Sequence, residues 1–151
     1  MTHDEILDKL EGSKLPEWEE LPDFGLYMDQ LVTYVSRTFP GISGRLDLTS
    51  SMINNYVKAG LIDKPIGKKY SRDSLAQLLM ISLMKVTTPL DVMKKLLHPE
   101  NGIKTEEMYV SFVDAQLRIK DEIIARGHIP ALDYALESAS LQLALRLLLT
   151  D

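Results

Sequence analysis

Ser50, Ser51, Asn54, Asn55 and Lys58 recur at spacings that place them on one side of a short helix, and Lys64, Lys68, Lys69 and Arg72 follow directly. Asparagine can hold adenine through two hydrogen bonds in the major groove of DNA, and serine serves either base or phosphate. Lysine and arginine neutralise phosphate oxygens and release counterions. These residue types point to recognition of a polyanion. The charge distribution agrees: residues 45–95 carry nine Lys and Arg against four Asp and Glu, a local charge of +5, while residues 1–44 carry −6 and residues 96–151 carry −4. The basic segment therefore stands out of an acidic chain of 151 residues and net charge −5, and a local patch of this sort is what presents positive potential to a partner.

The elements that must position these residues read as helices almost throughout. Residues 3–12 form an amphipathic helix carrying Ile6, Leu7 and Leu10, followed by an acidic link around Trp18 bracketed by Pro16 and Pro22. A second helix is expected from Asp23 as N-cap, with Phe24, Tyr27, Met28, Leu31 and Val35 at helical spacing. Pro40, Gly41 and Gly44 end it and make a loop. Thr49 caps the third helix, whose inward face is Met52, Ile53, Tyr56 and Val57, and Gly60 stops it. Residues 61–70 are too short for a helix, and Pro65 and Gly67 suit a turn between two very short strands.

Ser71 caps a fourth helix with Leu75, Leu78, Leu79, Ile81 and Leu83 largely buried. Thr88 as N-cap with Pro89 at the first helical position opens a fifth that ends near His98 and Pro99. Thr105 caps a sixth, and Gly127 and Pro130 separate it from a seventh running from about Ala131 to Leu149. That last helix is apolar nearly all round, which requires either a central position in the core or a second subunit.

Composition narrows the function classes. Cysteine is absent, so disulfides and thiolate metal sites are excluded. No apolar run approaches the roughly 18 residues of a membrane span, and the acidic start lacks a secretory pattern, so a cytoplasmic protein with no membrane partner is expected. His3, His98 and His128 are far apart in the chain, and the carboxylate pairs Glu19-Glu20, Glu106-Glu107 and Asp121-Glu122 are adjacent residues that point apart on a helix. No catalytic constellation, metal site or cofactor site is expected. The methionines at helical spacing read mainly as core, and Trp18 as packing for the acidic link.

The order MINNYVKAGLI, KP, KKY, SRDSLAQLLMI resembles the DNA-binding unit of the MerR family of winged helix-turn-helix regulators. More closely, LPEWEELPDF, LYMDQ, LTSSMINNYVKAGLI and KPIGKKYSR resemble an uncharacterised bacterial family, a domain of unknown function of this MerR-like class, over roughly residues 15–100. The resemblance implies an all-α fold with a minimal β-hairpin wing and C-terminal helices. It divides the chain into an N-terminal helix and acidic link (1–22), the winged helix-turn-helix (23–98) and a helical extension that dimerises (99–151). It also implies a bacterial transcriptional regulator that binds double-stranded DNA as a homodimer. Ser50, Ser51, Asn54 and Asn55 would then approach bases, and Lys58, Lys64, Lys68, Lys69 and Arg72 would hold phosphates. Departures from the pattern are Asn54 in place of the family's arginine, Asn55 in place of its phosphate-contacting tyrosine, a shorter wing, and a longer loop over residues 40–48. They leave two alternatives open: a protein-interaction module on the same scaffold, and a sensor for an unidentified small-molecule effector between the C-terminal helices.

Overall fold

The computed structural model describes residues 1–39 and 46–150. The loop expected at Pro40, Gly41 and Gly44, and Arg45 at the edge of the basic segment, lie outside the described residues. Among the described residues the helices are α1 (His3–Gly12), α2 (Met28–Thr38), α3 (Ser50–Lys58), α4 (Arg72–Met84), α5 (Leu90–Leu97), α6 (Thr105–Arg126) and α7 (Ala131–Leu148), with a 3-10 turn at Trp18–Glu20. No described helix is long and apolar enough to cross a membrane.

The centre of the molecule is α4. Every residue over 74–82 is buried, polar ones included, because α2, α5 and α6 all pack on this helix. A helix enclosed on all sides needs no polar face. The core around it runs from Leu15, Trp18 and Leu21 of the link through Leu31, Val35, Ile53 and Leu61 to Tyr109 and Val113 of α6. The Tyr109 hydroxyl donates to Pro16 O at 2.7 Å, and its ring lies 5.9 Å from that of Trp18, so Trp18 packs the acidic link against α6. The first helix lies along the far half of α6, where Gln116 Nε2 donates to Ser13 O and Lys120 Nζ to Glu11 O.

Several local signals stand where the residues place them. Thr49 Oγ1 accepts from Met52 N at 3.2 Å, and Ser71 Oγ accepts from Ser74 N at 3.3 Å. Others are displaced by pairings between distant residues. The second helix starts at Met28 with Tyr27 as its N-cap, rather than at Asp23, because Leu26 pairs antiparallel with Tyr70, and Asp23 and Phe24 before it form a bend. Phe24 is correspondingly 67% exposed. Pro89 is the N-cap of α5, and the hydroxyl of Thr88 accepts from Gln142 instead. Lys104 is the N-cap of α6, and the Thr105 hydroxyl accepts from Gln77.

Two larger expectations change. Among the described residues there is no strand. The segment 61–70 closes on one isolated antiparallel bridge, Ile66 with Lys69, and Tyr70 pairs outward with Leu26. Pro65, the residue that would extend the hairpin, has no N–H to donate. The seventh helix is not a central core helix, since it has no buried residue. Its half-buried stripe of Tyr134, Ser138, Gln142, Leu145 and Leu149 faces the body. Leu132, Leu136, Leu143 and Leu147, on the opposite side, are 58–75% exposed.

Burial, followed by the nearby Tyr34, Glu17 and Glu20, keeps the Tyr109 phenol protonated well above its ordinary value of 10.0. The folded state holds this proton where the unfolded chain loses it, so its stabilising effect is complete below pH 10 and declines as pH rises beyond that value. Tyr109→Phe leaves Pro16 O without its partner and should cost roughly 1–3 kcal/mol at neutral pH in a urea titration. The variant's stability should also fall less steeply than the parent's above pH 10.

Candidate nucleic-acid interface

The helix α3 forms because its capped start, inward apolar face and left-handed stop all agree. Ile53 and Tyr56 are buried, and Met52 and Val57 pack half-buried beside them. Gly60 takes φ +73°, which lets Gly60 N donate to Val57 O and Leu61 N to Tyr56 O, closing the helix in a Schellman pattern. Helix α5 holds this exit: Lys94 Nζ donates to Ala59 O at 2.8 Å, and His98 Nε2 lies 2.6 Å from Leu61 O. With its inward face fixed, α3 turns Ser50, Ser51, Asn54, Asn55 and Lys58 to solvent, all exposed. Nine residues at 1.5 Å each make a rod of roughly 13 Å, close to the width of a DNA major groove.

The turn after α3 is held from inside. Buried Gln77 accepts from Asp63 N through Oε1 at 2.9 Å, and buried Ser74 donates to Asp63 O at 3.0 Å. From that anchor the chain runs out to a two-residue tip. Ile66 and Lys69 exchange both backbone hydrogen bonds, with Gly67 at φ +56° and Lys68 at φ +69° between them. Two successive positive φ values are the mark of a type I′ turn, whose favoured residues are glycine and asparagine. Lys68 is the one non-glycine residue with positive φ among the described residues, a conformation that disfavours an L side chain by about 1–2 kcal/mol.

The sequence-derived site residues do not all share one environment. Ser50 and Lys68 line one cleft of about 800 Å³ together with Tyr27, Met28, Pro65 and Tyr70, so the start of α3 and the tip of the turn share a surface. Lys58, Lys64 and Lys68 are exposed, and among the described residues none forms an ion pair. Lys69 lays its stem against Gly25 and its ammonium 5.3 Å from the centre of the Tyr27 ring. Arg72 faces another way: it is half-buried, 5.4 Å from the Trp18 ring and 4.0 Å from Asp23, tied to the acidic link. The base of the turn is also acidic. Burial raises the Asp73 carboxyl above its ordinary range, Asp63 and Glu106 push the same way, and Arg72 opposes them.

Sequence reasoning missed Gln77, Ser74 and Tyr27 as positioning residues. The signal for the first was present: a single glutamine inside the apolar run SLAQLLMIS has no reason to be there unless a partner meets it. Among the described residues no group of three or more His, Asp or Glu gathers as metal ligands.

The family model described as Domain of unknown function (DUF1836) matches residues 16–112. No curated protein matches the chain, and no solved structure does. The matched span nearly coincides with the buried cluster, which begins at residue 15 and ends at residue 113.

Gln77→Leu should keep the volume of the side chain while stranding the Asp63 amide. The expected loss is roughly 1–3 kcal/mol by chemical denaturation, with amide exchange at Asp63 and Lys69 accelerated beyond that of α6.

Proposed function

The chain belongs to the DUF1836 family, and we propose that it is a bacterial DNA-binding transcriptional regulator built on a MerR-like winged helix-turn-helix. In this reading α2 and α3 are the paired helices, α3 enters the major groove, and residues 61–70 act as a minimal wing. Ser50, Ser51, Asn54 and Asn55 approach base edges, Lys58, Lys64 and Lys68 take phosphates, and Lys69 supports the edge of the wing from its seat on Tyr27.

The observation that carries the reading is Lys68. A lysine occupies a turn position where glycine or asparagine would be favoured, at the tip of a loop anchored in the core, beside the outward face of α3. An unfavourable backbone conformation retained at an exposed tip is accounted for by what the side chain does there. Arg72 contributes indirectly, by pairing with Asp23 and so offsetting one carboxylate beside the turn. Helix α7 supports a homodimer. Leu132, Leu136, Ala139, Leu143 and Leu147 recur at spacings of three and four, the seam pattern of paired helices, and all are exposed. Two half-sites read by a dimer would supply the affinity that one small module lacks.

Retardation of promoter fragments at graded salt tests the DNA reading. Binding should weaken steeply with salt, and Lys64→Ala with Lys68→Ala should flatten the slope by about two phosphate contacts. Lys68→Gly should weaken binding while leaving thermal stability unchanged or raised, which separates the role of the charge from that of the fold. A folded sample that shifts no DNA at low salt would assign the face to a protein partner instead. For the dimer, sedimentation at micromolar concentration should give twice the chain mass, and Leu136→Glu with Leu143→Glu should reduce it to the mass of one chain.

A further inference from the structure

A second cleft opens where α1, the end of α4, α6 and α7 meet. It measures about 690 Å³, within the range of small-molecule sites. Its walls are apolar: Leu10 from α1, Leu83 and Met84 from α4, and Phe112, Ile119 and Ile123 from one face of α6.

Six polar side chains interrupt that lining, and two of them, Gln116 and Lys120, stand one helical turn apart on α6. Lys120 is only 9% exposed, and its ammonium donates one hydrogen bond, to Glu11 O at 3.2 Å. Two of its three N–H groups are uncommitted, and no carboxylate lies within ion-pair distance among the described residues. Gln116 donates through Nε2 to Ser13 O, and its Oε1 is enclosed without any partner. A buried ammonium without a counter-charge and a buried carbonyl without a donor are each costly to keep. Side by side in an apolar cleft, they describe the complement of a ligand.

We propose that this cleft binds an apolar monocarboxylic acid whose head also carries a hydrogen-bond donor, a hydroxy acid of medium chain length being the simplest such molecule. The carboxylate accepts from Lys120 Nζ, the hydroxyl donates to Gln116 Oε1, and the alkyl chain lies along Phe112, Ile119, Leu83 and Met84. The inference is independent of the DNA reading, since ligand binding is itself the quantity measured.

Calorimetry on the full chain with 3-hydroxydecanoate, decanoate and 1-decanol, each below its aggregation concentration, tests it. The hydroxy acid should bind saturably at one per chain, more tightly than decanoate and at least ten-fold more tightly than decanol. Lys120→Met should abolish the preference for acid over alcohol, and Gln116→Met should abolish the preference for hydroxy acid over plain acid. Equal binding of the alcohol, an undiminished preference in Lys120→Met, or no saturable heat with any of the three would overturn the proposal. Should a variant fail to fold, methyl shifts in the parent protein decide. Ligand-induced changes concentrated at Leu83, Met84, Ile119 and Ile123 uphold the site, and changes confined to the exposed leucines of α7 refute it.

Discussion

The backbone of Asp63 is held on both sides by a helix that is otherwise sealed in the core, and the position of the candidate interface depends on that grip. Ser74 and Gln77 reach out of α4 to the carbonyl and amide of one residue. Both side chains are buried, so each would be costly if its partner moved away. The turn beyond Asp63 has no strand to stiffen it. It takes its definition from the best-packed element in the molecule, and the exposed cations on it inherit a fixed origin.

The parts of the fold legible in the sequence are those decided within a few residues. Thr49 and Ser71 bond amides three positions ahead, Gly60 closes its own helix, and the inward face of α3 follows from apolar spacing. The outward orientation of Ser50, Ser51, Asn54, Asn55 and Lys58 was legible for the same reason. What was not legible depends on partners far along the chain. Leu26 meets Tyr70 and delays α2, Gln142 takes Thr88, and Gln77 takes Thr105. Arg72 likewise follows Trp18 and Asp23, which local spacing gives no means of foreseeing. Helices α4 and α7 show a further gap. Both are rich in leucine, and periodicity says only that such a helix needs covering. In α4 the cover is the rest of the chain; in α7 one whole stripe meets solvent.

The buried cluster and the family match share nearly the same limits. The residues that define the family span are therefore largely those that fold together, whereas α7 lies beyond both. The acidic link falls within them, because Trp18 and Leu21 sit in the core while the glutamates between them stay in water. A segment that reads as a tether is in fact part of the scaffold, and Arg72 is moored to it.

Helix α6 is a single unbroken rod with attachments at both ends. Near its start Thr105 meets Gln77, the same side chain that grips Asp63, and further along it carries Gln116 and Lys120. At 1.5 Å per residue these stations lie roughly 16–22 Å apart along one axis. One stiff element thus carries both the partner of the glutamine that grips Asp63 and part of the wall of the cleft, and so sets the spacing between the anchor of the turn and that cleft.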